Sequence, residues 1–413
     1  MSEIVTPMRQ VVAPASDASQ RPATVSPRLA SIDAYRGAVM LLLVFFDGPR
    51  WAWWEPIHEA HYDATWLTAL LAQFDHVEWS GLALWDMIQP SFMFLVGTSL
   101  AFSVAARRRR GQSSQGMLRH AVVRAVLLIL LGVFLRSAES PITNWRFDDV
   151  VSQIGLGYAP LFLLSGAANG TLLLAVAGIL AAYWALFALW PLPSSTYDWQ
   201  AAAGQAYYDG FAAHWNKNAN PALYFDQWLM NLFPRTEPFV ANAGGYHTLN
   251  FVPSLATMLL GLVAGNVLLS DAPTRRKIGR LAIAGVVCLA LGWGLDATGA
   301  CPSVKRIWTP SFTLLSGGLC FLALTAFFAV IDVAGRRRWA FPAIVVGRNS
   351  IAVYCLLHLA AGWILTTLHR HLGETPFTVL GPAYQPLLDN LAVGAVLWLA
   401  CYWMYRRGIF LRL

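Results

Sequence analysis

Runs of about twenty predominantly apolar residues recur along this chain, and several end in blocks of arginine. A helix of that length crosses the roughly 30 Å hydrocarbon core of a bilayer, and arginine clusters then mark one side of it. The runs fall near 29–47, 84–106, 118–135, 151–164, a fifth ending at 190, then 249–269, 281–295, 312–330, 343–365 and 388–405. Arg107 to Arg110, the basic group from Arg275 to Arg280, Arg336 to Arg338, and Arg406, Arg407 and Arg412 then alternate onto one face. The expectation is an all-α polytopic transmembrane bundle of about ten spans, with both termini cytoplasmic.

Composition supports that class. Hydrophobic residues make up 57% of the chain and charged residues only 12%, against roughly 25% charge in soluble domains. The net charge of +7 is therefore read as topology, and no nucleic-acid partner is expected. Five cysteines show no metal-like spacing, and Cys288, Cys320, Cys355 and Cys401 lie in apolar runs. Neither a disulfide framework nor a metal is expected.

Residues 1–28 are rich in Pro, Ser, Ala and Thr and read as a disordered cytoplasmic tail. The first apolar run reads as a retained span rather than a cleaved signal. A single integral-membrane domain follows over 29–405, with outward loops at 49–80 and 191–248 and a short cytoplasmic tail at 406–413. Both loops are dense in Trp, His and charge, as suits an interfacial belt or a cap over a site. Asn169-Gly170-Thr171 matches a glycosylation triplet, but it falls in a turn on the cytoplasmic side and reads as chance.

The most informative stretch is 74–97, FDHVEWSGLALWDMIQPSFMFLVG. A polar aromatic loop carrying His76 passes directly into an apolar run that opens with Asp86 and Pro90. A histidine in water and a span beginning beside it suggest chemistry at the membrane edge. Asp33 and Arg36 share one helical face in the first run, where each offsets part of the other's desolvation. Asn349, Ser350, Tyr354 and His358 recur at about helical spacing and would form a polar stripe in the ninth run. Helix-to-helix hydrogen bonding and a passage for a ligand are equal readings of that stripe.

Several ordered motifs carry a family likeness. Ser31 to Gly37 reads SIDAYRG; His76, Trp79, Gly81, Asp86 and Pro90 lie in the stretch above; Trp308 to Gly318 reads WTPSFTLLSGG; and Gly347 to Tyr354 reads GRNSIAVY. Together they resemble the bacterial relatives of lysosomal heparan-α-glucosaminide N-acetyltransferase, over about residues 29–405. The resemblance implies an acyl-coenzyme A-dependent O- or N-acyltransferase, N-acetyltransferase-like. Acetyl-coenzyme A or another acyl-coenzyme A would be the donor, an amino sugar or glycan the outward acceptor, and a bacterial inner membrane the location. Ala83 stands where the family often has Thr, Gln89-Pro90 replaces a common Phe-Pro, and the 191–248 loop is a further departure. These put the acceptor's identity in question.

In that reading His76 matches the family's active histidine. A neutral imidazole suits proton removal near neutrality, and His76 could act as general base or take the acyl group itself; the residues leave both open. Asp86 would orient the ring or grip an acceptor ammonium, and His358 would assist from the outer half of its span. Arg36, Arg124 and Arg348 would bind coenzyme A phosphates, with Asn349 and Ser350 beside them. Because these arginines and His76 lie near opposite faces, an internal path bounded by spans one, two, three and nine is expected. The competing class is a secondary transporter, although no inverted repeat is visible. Membrane lipids are the remaining partners, and a homodimer is a candidate assembly.

Overall fold

The computed structural model describes residues 29–47, 52–194 and 196–411. The proposed N-terminal tail, Trp51 of the first loop and Arg412 lie outside the described residues. Among those described, the secondary structure is helical with no strand. The main helices are α1 (Ala30–Phe45), α2 (Ile88–Arg109), α3 (Ser114–Ser137), α4 (Val150–Leu163), α5 (Asn169–Ala188) and α6 (Phe251–Leu269). They continue with α7 (Thr274–Ala297), α8 (Pro310–Phe327), α9 (Phe341–Gly347), α10 (Ser350–Leu372) and α11 (Gln385–Arg407). Among the described residues, eight helices, each with any short turn that leads into it, are long and apolar enough to cross a membrane; α1 and α4 are shorter.

Burial sorts these helices into centre and perimeter. In the most apolar stretch of α6, 83% of the residues are buried, against 22% in α7. Helix α6 is apolar all round because every side meets another helix. In contrast, α3 turns Val122, Val126, Leu130 and Phe134 outward, and α7 does the same with Ile283, Val287 and Leu291. Apolar stripes of this length facing away from the bundle are stable against lipid and not against water. The protein is therefore an integral membrane protein built as a polytopic helical bundle.

Small residues bring the inner helices together. A side chain on Gly97 of α2 would overlap the Met258 carbonyl of α6, and one on Gly261 of α6 would overlap the Phe94 carbonyl of α2. Gly265 meets Thr98 and Ala101 in the same seam. Gly37 of α1 and Gly347 of α9 abut each other's backbone in the same way, and Gly285 and Gly318 join α7 to α8. Because lipid tails are as apolar as Leu, close backbone approach supplies much of the association energy in a membrane.

The bundle has two unlike ends. At one end lie Arg107 to Arg110, the start of α7 and the segment after α8, where Asp332 accepts the Ala30 and Ser31 amides at 3.1 and 3.0 Å. At the other lie the long loops, where Asn390 donates to the Phe45 carbonyl at 3.1 Å. Asn169 of the glycosylation-like triplet sits at the arginine end, hydrogen-bonded to Asn266 at 2.9 Å.

Some boundaries differ from expectation. The ninth apolar run is two helices, α9 and α10, broken at Arg348 and Asn349. Asn349 explains the break: its side chain binds the Ile409 carbonyl and the Leu411 amide at 3.1 and 3.2 Å, tying the chain to the segment after α11. Helix α7 begins at Thr274, well before its apolar run, because the basic residues there are good helix formers. The 191–248 loop contains the helix Pro221–Met230, capped by the Asn220 side chain on the Ala222 amide at 3.1 Å.

Candidate active site

His76 and Asp86, ten residues apart, are brought into contact by a turn. Leu84 starts a single 3-10 turn, Trp85–Met87, that leads into α2 and points the Asp86 carboxylate back at the loop. His76 Nδ1 lies 2.7 Å from Asp86 Oδ1. The other oxygen, Oδ2, accepts the Ala83 and Val77 amides at 3.1 and 3.4 Å. Lys305, from the short connection between α7 and α8, completes a triad, with Nζ 3.1 Å from Asp86 Oδ1 and 3.0 Å from His76 Nδ1. Side-chain exposure is 1% for Asp86, 5% for Lys305 and 25% for His76. Only the imidazole is open to a reactant.

The sequence around His76 explains how three loops meet. Gly81 has φ +113°, a conformation that L side chains rarely adopt. This turns its amide onto the Ser303 carbonyl at 2.9 Å, docking the His76 loop against the loop that carries Lys305. Trp79 is buried; its Nε1 donates to the Trp215 carbonyl at 3.1 Å and its ring stacks on Tyr207, anchoring the 191–248 loop. Arg306 donates to the Gly244 and Val77 carbonyls at 2.7 and 3.3 Å and lies over the Tyr246 ring. On the far side of the connection, the Thr309 hydroxyl accepts the Val304 and Phe312 amides, closing the loop and capping α8.

Hydrogen-bond arithmetic fixes the ring. Two acceptors do not approach to 2.7 Å, so a proton lies between Nδ1 and Asp86 Oδ1. Nδ1 then has no lone pair for Lys305, whose ammonium donates to the carboxylate instead. Nε2 makes no hydrogen bond among the described residues and carries the free lone pair. Burial lowers the His76 pKa from its ordinary value, and the Lys305 and Arg306 cations add to that, opposed by Asp86. Burial likewise lowers the Lys305 pKa, and it pushes the nearby Tyr246 phenol up to about 12. Such a ring can take a proton or attack a carbonyl at Nε2.

The other expected site residues sit elsewhere. The polar groups in contact with His76 are Asp75, Asp86 and Lys305, and its ring neighbours are Trp85 and Tyr246; His358 is not among them. His358 Nδ1 meets the Tyr354 carbonyl at 2.9 Å, within its own helix. At the arginine end, Arg36 pairs with Asp33 at 3.7 Å and hydrogen-bonds Ser99. Arg124 donates to the Tyr158 hydroxyl at 3.2 Å, and Arg348 lies 4.0 Å over the Phe410 ring. These arginines have separate partners, but Nε of both Arg124 and Arg348 is buried without a hydrogen bond. Nε of Arg136 and Arg306, at the loop end, is in the same condition. Ser350 opens α10 beside Asn349.

An open cavity of about 350 Å³ lies at the same end, lined by Arg108, Ser114, Gln115, Phe162 and Gly166. A smaller one is lined by Arg107, His120 and Tyr158. Neither lining includes His76. Among the described residues no group of three or more His, Cys, Asp or Glu could hold a metal ion.

Sequence reasoning missed Lys305 and Arg306. The available signal is that both are basic yet lie between the seventh and eighth apolar runs, on the side opposite the arginine blocks. It also missed the buried His247, whose Nδ1 meets Asp226 at 3.0 Å and helps fix the 191–248 loop.

No protein-family model matches the chain. The human heparan-alpha-glucosaminide N-acetyltransferase is 25% identical over 449 aligned positions, covering 95% of this chain and 61% of the human protein. The mouse protein of the same name is 22% identical, covering 93% of this chain and 60% of its own length. The chain thus spans about three fifths of the curated relatives it matches. Along nearly all of its own length, the chain is similar to these two heparan-alpha-glucosaminide N-acetyltransferases.

Proposed function

We propose that the protein is a transmembrane acyltransferase that moves an acetyl or related acyl group from acyl-coenzyme A to an amine or hydroxyl of an amino sugar or glycan at the loop end. One observation carries this reading: a partly exposed imidazole with Nδ1 tied to a buried carboxylate and Nε2 free. The names of the human and mouse relatives support acetyl transfer to nitrogen as the first case to test.

His76 Nε2 takes the proton as the acceptor nitrogen attacks the thioester carbonyl. The new C–N bond forms, the C–S bond breaks, and the proton returns to the leaving thiolate. In the alternative, Nε2 attacks the thioester carbonyl and expels the thiolate; the acceptor then attacks the acyl carbon, the bond from that carbon to Nε2 breaks, and the acceptor's proton passes to the thiolate. Asp86 holds the tautomer in both. Arg36, Arg124, Arg348, Asn349 and Ser350 would hold the donor's phosphates at the arginine end, taken as cytoplasmic with both termini in a bacterial inner membrane. Helix α2 alone rises about 33 Å between Asp86 and the arginine block, so the donor's arm must reach through the bundle.

The test uses proteoliposomes with labelled acetyl-coenzyme A on one face and a panel of amino sugars on the other. Acetylated sugar on the face opposite the donor supports the reading. Movement of a solute with no thioester consumed would replace it with a transporter.

A further inference from the structure

The buried contacts around His76 include one that the reaction itself does not require. Lys305 is held at 5% side-chain exposure, 3.1 Å from the carboxylate oxygen that also receives the imidazole proton. A lysine this buried is costly unless its charge is paired, and its partner here is the carboxylate that also holds the imidazole. Its loop is built to hold it there: the Trp308 amide donates to the Lys305 carbonyl at 2.9 Å, and Trp308 has φ +47°, rare for a bulky residue. Trp308 Nε1 is itself pinned to Thr257 of α6 at 3.2 Å.

We propose that Lys305 is a positioning residue that keeps His76 neutral by occupying the charge of Asp86. The inference rests on the acyltransferase reading for its purpose, but not for its physics. With His76 neutral, the Asp86 and Lys305 charges cancel. Protonating the ring would set two cations against one carboxylate in a largely buried site, with the Arg306 guanidinium on the same loop adding to the repulsion. Asp75, whose carboxylate accepts the His76 backbone amide at 2.7 Å, is the other nearby anion, and the Tyr246 phenol is neutral at working pH. Without Lys305, Asp86 would act as an unopposed counter-ion and favour the imidazolium, as carboxylates beside histidines generally do. An imidazolium has no lone pair at Nε2 and can neither accept a proton nor attack.

The arrangement also explains why one dyad needs a third member. Asp86 must be ionised to hold the Nδ1 proton, yet an ionised carboxylate pulls a second proton onto the ring. Lys305 separates these two effects, because it offsets the charge and leaves the hydrogen bond in place.

The experiment reads the protonation of His76 directly. Diethyl pyrocarbonate modifies only the unprotonated imidazole, and mass spectrometry of the peptide carrying His76 gives its modification rate against pH. The midpoint is compared in wild type, Lys305→Met, Lys305→Arg, Asp86→Asn and the double variant. Lys305→Met should raise the midpoint by at least one pH unit, a tenfold loss of neutral imidazole below it. Lys305→Arg should hold it near wild type, Asp86→Asn should lower it, and the double variant should bring it back. An unchanged or lowered midpoint in Lys305→Met overturns the proposal. If Lys305→Met does not fold, Asp86→Asn and the double variant decide: equal midpoints in those two would overturn it as well. The measurement needs no turnover, so it stands if the protein proves not to be an acyltransferase. For an active enzyme, the acidic limb of the kcat/KM profile should move with the same midpoint, which a purely structural lysine would not produce.

Discussion

Replacing Asp86 with Asn exchanges one carboxylate oxygen for an amide nitrogen and should disable the protein in two separable ways. Four donors converge on the carboxylate: the His76 Nδ1 proton, the Lys305 ammonium, and the Ala83 and Val77 amides. An amide has one acceptor oxygen and one donor nitrogen, so either orientation sets donor against donor. If the nitrogen turns towards the ring, it stabilises the tautomer with the proton on Nε2 and removes the base. The rate should fall on the order of 10³ to 10⁴-fold. The variant also leaves Lys305 buried without its counter-ion, at a cost of about 3–5 kcal/mol. That is a large part of a typical folding free energy of about 5–15 kcal/mol. Thermal unfolding in detergent should show a lower midpoint, and a transfer assay the lost rate. Adding Lys305→Met to Asp86→Asn removes the stranded cation, so stability should recover in part while the rate does not. A single variant with wild-type rate and unfolding midpoint, or a double variant less stable than the single, would refute this reasoning.

Three other predictions follow from the same contacts. Arg306→Ala leaves the Gly244 and Val77 carbonyls without their shared donor, so limited proteolysis should cut the 191–248 loop faster, and wild-type resistance would contradict the three-loop junction. Gly261→Val places a branched side chain against the Phe94 carbonyl and should sharply reduce the yield of monodisperse protein by size-exclusion chromatography, whereas the same change at Gly279, which faces open space, should not. Because burial and the Lys305 charge lower the His76 pKa, the ring stays neutral to lower pH than a free histidine. The kcat/KM profile should therefore be flat through neutrality and fall only below about pH 6.5; a fall beginning above that value would contradict the assignment.

The sequence carried the bundle and half of the site. Span patterning and arginine blocks are local signals, as is the HxxWxG stretch, whose Trp79 and Gly81 turned out to dock two other loops onto His76. Asp86 was legible as a group with a task, because a carboxylate at the start of a span demands a reason, but the sequence left open whether it holds the ring or an acceptor ammonium. Lys305 was not legible as a partner of His76, because the contact joins positions 229 apart; its local signal is only that of a basic pair on the side opposite the arginine blocks. The break between α9 and α10 was hidden for a similar cause: AIVVGRNSIAVY reads as continuous, and only the returning Ile409–Leu411 segment interrupts it. His358 was placed with His76 by its depth along a span, which says nothing about which side of the helix faces the loop end. The arginines assigned to one ligand share an end of the bundle but have different partners, since helical position gives height and not azimuth.

The central claim is that the imidazole of His76 performs acyl transfer. Its most direct test compares wild type with His76→Ala for transfer of labelled acetyl from acetyl-coenzyme A to an amino sugar, with coenzyme A binding measured on the same preparations. The account predicts that transfer is lost in the variant while coenzyme A still binds, because the arginine end is untouched. Equal transfer by both proteins would contradict it.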